Sequence, residues 1–184
     1  MFLGSKEDFA IHYKNKYYNS FCKFYTDIPP SWVFSELMSF GNMSSTIKYV
    51  EVDYIKAHDL DRMASKKLGV NKFKKLCNWV SVIHEVRNHT AHHARVFNRN
   101  LKAPDGIKQI LDSKIPLVKH GAGNEDQLNR IYTALAAIQV ILKKLGYPPI
   151  GPDLKKLFNK YPIHRSFMDS MGFPQGWYNE AIFK

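Results

Sequence analysis

Residues 72–97 read KFKKLCNWVSVIHEVRNHTAHHARVF and carry the most regular apolar spacing in the first half of the chain. The apolar positions follow one another at steps of three or four residues, and they are Phe73, Leu76, Val80, Ile83 and Val86. That rhythm is typical of a helix that buries one face. We therefore predict a long α-helix over about residues 72–97.

A second helix signal follows in the later half of the chain. Gln127 stands three residues after Asn124, which is the spacing of a capping box at the start of a helix. Gly146 follows the last apolar position and Pro148 lies just beyond, as is common where helices end. We predict a helix over residues 124–145, and its apolar face comprises Leu128, Ile131, Leu135, Ile138, Leu142 and Leu145.

The remaining segments complete the prediction of the fold. Residues 66–70 resemble a helix end followed by a turn, and residues 98–123 are punctuated by Pro and Gly. No train of alternating strands occurs, so the fold class is predicted to be all-α, with one domain over residues 1–184. The aromatic, Pro- and Gly-punctuated extension 149–184 is expected to pack back on the bundle, with a short helix near residues 153–160.

Charge and composition narrow the class of partner. The 184 residues include 27 Lys and Arg against 16 Asp and Glu, a net charge of +11, which favours a polyanionic partner and nucleic acid first. No apolar run is long enough for a membrane span. Lys6, Glu7 and Asp8 interrupt any apolar leader, so we expect a cytoplasmic protein without a membrane partner. Cys22 and Cys77 lack a CxxC context and are expected to be reduced.

The segment with the most groups suited to catalysis is the later part of the helix predicted over residues 72–97. Four of the eight histidines lie between His84 and His93, and three arginines lie in residues 87–99. Histidine suits proton transfer near neutral pH, and arginine matches the geometry of phosphate. These groups could catalyse attack of an RNA 2′-hydroxyl on the neighbouring phosphate, for which we expect neither a metal nor a cofactor. DNA, which lacks that hydroxyl, should be inert.

Helix geometry limits what one copy of this segment can do. Arg87 and His92 are five residues apart, which is about 140° around an ideal helix. Asn88, His92 and Arg95 are expected to share a face. A single copy is therefore a poor acid–base pair, whereas two copies facing each other would bring two Arg and two His together. The mechanism predicts a homodimer.

The same segment resembles a known family. Arg87, a polar residue, three further positions and then His92 resemble the signature of the HEPN ribonuclease superfamily. Residues 87–98 are similar to the RNxxAHHxRxWN core of the AbiD/AbiF-like abortive-infection proteins. Residues 30–44 resemble that family's PxWxxxExLSFGxLS segment, and residues 171–174 resemble its close.

The resemblance implies a HEPN-like helical bundle and a metal-independent endoribonuclease, a toxin of anti-phage defence that works as a homodimer with a composite site. It implies that Arg87 and His92 are the catalytic pair and that Asn88 supports them, with His93 as the other candidate for the catalytic histidine. A regulatory small non-coding RNA is a further implied partner.

Other basic residues are candidates for contact with the RNA backbone, although each equally fits a solvated surface: Arg95, Arg99, Lys72, Lys74 and Lys75. We expect His84 and His89 to be structural or to face RNA rather than to catalyse. The alternative function is a HEPN module that binds a small non-coding RNA without cleaving it. A DNA-binding helix-turn-helix regulator ranks lower, because no recognition-helix pattern stands out.

Overall fold

The computed structural model describes residues 35, 38–121 and 123–184. The chain divides into two compact units, Met1–Tyr49 and Val50–Lys184. The described residues form helices and no strand, apart from one isolated β-bridge, so the predicted all-α class is confirmed. Cys22, and residues 30–34, 36 and 37 of the segment 30–44, lie outside the described residues. Among the described residues, no helix combines the length and the apolar content that a bilayer crossing requires.

In the described part of the first unit, the α-helix α1 spans Phe40–Thr46. The hydroxyl of Ser39 accepts a hydrogen bond from the backbone N–H of Asn42 at 3.2 Å and so caps the start of α1. A 3₁₀ turn at Ile47–Tyr49 follows.

The described residues of the second unit contain five α-helices, and a long connection over residues 92–130 joins the third of them to the fourth. Its α-helices are α2 at Val52–Ala57, α3 at Leu60–Leu68, α4 at Phe73–Ala91, α5 at Ile131–Lys144 and α6 at Gly151–Lys160. Its 3₁₀ turns are Ile107–Gln109, Pro162–Phe167, Asp169–Met171, Trp177–Asn179 and Ala181–Phe183. The helix that the sequence predicts near residues 153–160 is thus confirmed as α6.

One part of the core of this unit joins α4 to α5. Val82 of α4, Ala134 of α5 and Leu101 form a buried cluster, against which Val86 and Ile131 pack. Burial of such apolar surface is the main favourable contribution to folding, at about 25 cal/mol per Å². The contact fixes the middle of α4, and so it also fixes where the two ends of that helix lie.

The amino end of α4 is held by a carboxylate from α3. Asp61 accepts a hydrogen bond from the backbone N–H of Phe73 at 2.7 Å and another from Nζ of Lys72 at 2.9 Å. The backbone N–H of Phe73 and then Lys72 lower the pKa of Asp61. Gly69 makes the turn between the helices at φ 77°, and a Cβ there would lie 2.9 Å from Cγ of Lys144. This confirms the helix end predicted at residues 66–70.

The start of the second predicted helix is wrong, because α5 begins at Ile131 and not at residue 124. The residues before it pair with an earlier stretch instead. The backbone N–H of Gln127 donates to the carbonyl of Val118 at 2.7 Å, and that of His120 donates to Glu125 at 3.0 Å. A helix starting at residue 124 would need the carbonyl of Glu125 for its first turn and the N–H of Gln127 for the side-chain cap of Asn124. The predicted cap at the other end, Gly146, is confirmed, with φ 82°.

The C-terminal extension packs back onto α5, as its aromatic content predicts. The ring of Phe173 lies 5.2 Å from that of Tyr132 on α5 and 5.3 Å from that of Trp177. Next to these rings, the buried carboxylate of Glu180 accepts hydrogen bonds from the hydroxyl of Tyr132 at 3.2 Å and from the backbone N–H of Asp112 at 3.0 Å. Burial raises the pKa of Glu180.

Because the folded state raises this pKa, folding favours the protonated carboxyl group. The stabilisation that Glu180 contributes is fully present below the pKa of the unfolded chain and is lost as the pH rises through the folded-state pKa. We expect the free energy of unfolding to fall more steeply between about pH 4 and about pH 8 in the native chain than in Glu180→Gln. Urea unfolding at both pH values measures this. The exposed Glu125 provides the control Glu125→Gln, and equal pH slopes for the native chain and Glu180→Gln would contradict the assignment.

Candidate functional site

The motif residues lie at the carboxyl end of α4, which ends at Ala91. The predicted extension of this helix to residue 97 is therefore wrong. His92 is the C-cap, and His93 adopts a left-handed backbone with φ 52°. The N–H of Ala94 donates to the carbonyl of His89 at 2.8 Å, and that of His93 donates to Thr90 at 3.2 Å. This pair of bonds is a Schellman motif, which satisfies the last carbonyls of the helix.

His93 occupies the position in this motif that glycine usually takes. A left-handed backbone costs an L-residue roughly 1–2 kcal/mol, although His, Asn and Asp tolerate it better than most residues do. The sequence predicts that the helix continues through this point, because residues 72–97 contain no Gly or Pro to signal a turn. A glycine here would have revealed the helix end.

Arg87 and Asn88 are in direct contact on the last turns of α4. Nη1 of Arg87 donates to Oδ1 of Asn88 at 3.2 Å, and Nδ2 of Asn88 lies 2.8 Å from Nε2 of His84. The backbone N–H of His92 donates to the carbonyl of Asn88 at 3.0 Å, which continues the helical pattern as far as His92. The ideal-helix angle of about 140° between Arg87 and His92 therefore still applies.

The structure changes the expected relation of Arg95 to this face. Arg95 lies beyond the left-handed turn, so it does not extend the face of Asn88 and His92 along a helix. The prediction that these three residues share a helical face is wrong for Arg95, because the helix ends first. Arg95 and Arg99 instead belong to the segment that leaves the helix.

The ionisable side chains at this end are open to solvent. Arg87, His92, His93, Arg95 and Arg99 are all exposed. Within residues 38–121 and 123–184, no carboxylate forms an ion pair with any of the three arginines. Exposed guanidinium groups that have no carboxylate partner are suited to an anionic ligand such as phosphate.

Contacts that the sequence did not predict hold the segment that follows the motif. Glu85 accepts a hydrogen bond from the backbone N–H of Lys102 at 2.9 Å, and its other oxygen lies 3.9 Å from Nε2 of His89. The ring of Phe97 makes an edge contact of 4.7 Å with that of Phe167. The four-residue spacing of Glu85 and His89 was a usable signal. No sequence signal indicates the pairing of Phe97 with Phe167, because the two rings are far apart in the sequence.

The lysines proposed to bind RNA lie at the opposite end of α4 from the motif. Lys75 and Arg87 are twelve residues apart on the helix, which corresponds to about 18 Å. Lys72 already pairs with Asp61. Nζ of Lys75 lies 3.4 Å from Oε1 of Gln109, and both residues line a cleft of about 200 Å³. The lysines and the motif are therefore separate basic patches, and one small ligand does not reach both.

The left-handed backbone at His93 gives a stability test that separates its role from that of His92. We expect His93→Gly to leave the chain as stable as the native protein or up to about 1 kcal/mol more stable, because glycine relieves the strain. His93→Val should cost about 1–2 kcal/mol. Urea unfolding measures both. His92 has a negative φ of −95°, so His92→Gly is the control and should not stabilise. Equal stability of His93→Gly and His93→Val would contradict the assignment.

Comparison with known proteins places this chain in a family. Residues 2–98 match the family model described as Abi-like protein, and the match ends just after the motif segment. No curated protein and no solved structure gave a significant match. The match supports the resemblance to abortive-infection proteins that the sequence predicts. Because it covers more than half of the 184 residues, the chain belongs to the Abi-like protein family.

Proposed function

We propose that this protein is a metal-independent endoribonuclease of the HEPN type, close to the AbiD/AbiF-like proteins, and that it acts in bacterial abortive infection. The observation that carries the proposal is a cluster of exposed residues at the end of α4, Arg87, His92 and their neighbours, in which no arginine pairs with a carboxylate of the described residues. The family supports the role in defence. The chemistry of the cluster supports RNA as the substrate.

Each side chain has a role in this reaction. His92 takes the proton from the RNA 2′-hydroxyl or gives one to the leaving 5′-oxygen, because an imidazole changes protonation near neutral pH. Arg87 stabilises the negative charge that builds on the phosphoryl oxygens. Asn88 supports Arg87 through its 3.2 Å hydrogen bond. The products would be a 2′,3′-cyclic phosphate and a 5′-hydroxyl.

The helix angle supports a homodimer in this proposal. The reaction needs both a base and an acid, and one copy supplies His92 on a different side of the helix from Arg87. Two copies related by a two-fold axis would supply two histidines and two arginines to one composite site. The exposure of the whole cluster is compatible with a second copy facing it.

His93 is assigned to the turn rather than to the reaction. Its backbone closes the Schellman motif at φ 52°, which gives this position a structural role that needs no catalysis. His92 precedes the turn and is the C-cap residue of the helix that carries Arg87. The proposal therefore selects His92 as the catalytic histidine.

An RNA cleavage assay in EDTA tests the function. The native chain should cleave single-stranded RNA and leave 2′,3′-cyclic phosphates. Arg87→Ala and His92→Ala should lose about 10²–10⁴-fold in rate, the usual contribution of a general acid–base group or an oxyanion-stabilising group. His93→Gly should keep most of the activity, and Arg62→Ala, which removes another exposed arginine from α3, is the charge control.

Two results would overturn the proposal. Cleavage that survives in both Arg87→Ala and His92→Ala would show that another group, or a contaminant, does the chemistry. Binding of RNA without cleavage by the native chain, in EDTA and in Mg²⁺, would indicate the alternative, a non-catalytic module that holds a small non-coding RNA.

A further inference from the structure

A chain of two side-chain hydrogen bonds runs along α4 from Arg87 to His84. Oδ1 of Asn88 lies 3.2 Å from Nη1 of Arg87, and Nδ2 of Asn88 lies 2.8 Å from Nε2 of His84. His84 and Asn88 are four residues apart, so their side chains meet on one face of the helix. Both are partly buried, whereas Arg87 is exposed. The amide of Asn88 thus connects a sheltered imidazole to an exposed guanidinium.

The directions of these bonds follow from the groups themselves. A guanidinium carries only donors, so the amide oxygen of Asn88 must face Arg87. The amide nitrogen, which only donates, then faces His84. Nε2 of His84 must therefore accept a hydrogen bond, which requires the neutral imidazole with its proton on Nδ1. The opposite amide orientation would set two donors against each other at Arg87.

We propose that His84 is a positioning residue that sets the orientation of Arg87 through Asn88. This inference rests on the proposed function, in which Arg87 stabilises the phosphoryl charge. A long exposed arginine samples many rotamers, and catalysis needs its guanidinium in one place. By accepting from Nδ2, His84 holds the amide so that its oxygen limits where the guanidinium lies. His84 itself does not touch the substrate.

Two amide substitutions separate this role from simple packing. The Oε1 atom of a glutamine extends about as far as the Nε2 atom of a histidine, so His84→Gln keeps an acceptor for Asn88. His84→Asn carries the same amide but is too short to reach. In the EDTA cleavage assay we expect His84→Gln to cleave at close to the native rate. His84→Asn and His84→Ala should lose about 10- to 100-fold in kcat with little change in KM.

Thermal unfolding of each variant first establishes that it is folded. Folded His84→Gln and His84→Asn that cleave at equal rates, whether both high or both low, would overturn the inference, since only the reach of the acceptor differs. A loss confined to KM would also overturn it, because misplacing Arg87 acts on the transition state rather than on ground-state binding.

A measurement without RNA keeps this inference distinct from the proposed function. If the native chain fails to cleave, the proposed function fails, and the ¹⁵N spectrum of the imidazole still tests the hydrogen-bond chain. The inference requires an unprotonated Nε2 and a protonated Nδ1 on His84 near neutral pH. It also requires that the chemical shift of the Asn88 side-chain NH₂ group changes in His84→Asn, and changes less in His84→Gln. A protonated Nε2 would overturn it.

Discussion

The left-handed turn at His93 is the constraint on which the candidate site depends. It stops α4 at Ala91 and satisfies the last carbonyl groups of the helix through the N–H groups of His93 and Ala94. Had the helix continued, Arg95 would share a face with Asn88 and His92. The turn instead leaves Arg87 and His92 on the last helical turns and sends Arg95 into the following segment. The contact of Phe97 with Phe167 then fixes that segment against the C-terminal extension.

The electrostatics of this end of the helix need explanation, because a helix carboxyl end carries a partial negative charge that disfavours phosphate. The Schellman bonds satisfy carbonyl groups that would otherwise face a ligand. Arg87, Arg95 and Arg99, which have no carboxylate partner within the described ranges, supply the opposing charge. At the other end, Asp61 neutralises Lys72, so part of the positive charge there is already compensated.

The sequence predicts the helices through their apolar spacing, but it misplaces the end of α4 and the start of α5. The all-α class, the turn at Gly69 and the cap at Gly146 followed from local patterns. The start of α5 did not, because the pairing of residues 118–120 with residues 125–127 overrides a good capping pattern. The motif residues were visible from their chemistry. The angle between Arg87 and His92 was visible too, whereas the position of Arg95 was not, since it depends on one non-glycine residue in a left-handed conformation.

The central claim is that the RNA 2′-hydroxyl is the nucleophile and that the protein's own side chains, without a metal, catalyse its attack. The most direct measurement uses an RNA oligonucleotide with one mapped cleavage position, compared in EDTA with the same oligonucleotide carrying a single 2′-deoxy sugar on the 5′ side of that bond. The account predicts that this substitution abolishes cleavage at that bond and leaves binding nearly unchanged. Continued cleavage at the substituted bond would contradict the account.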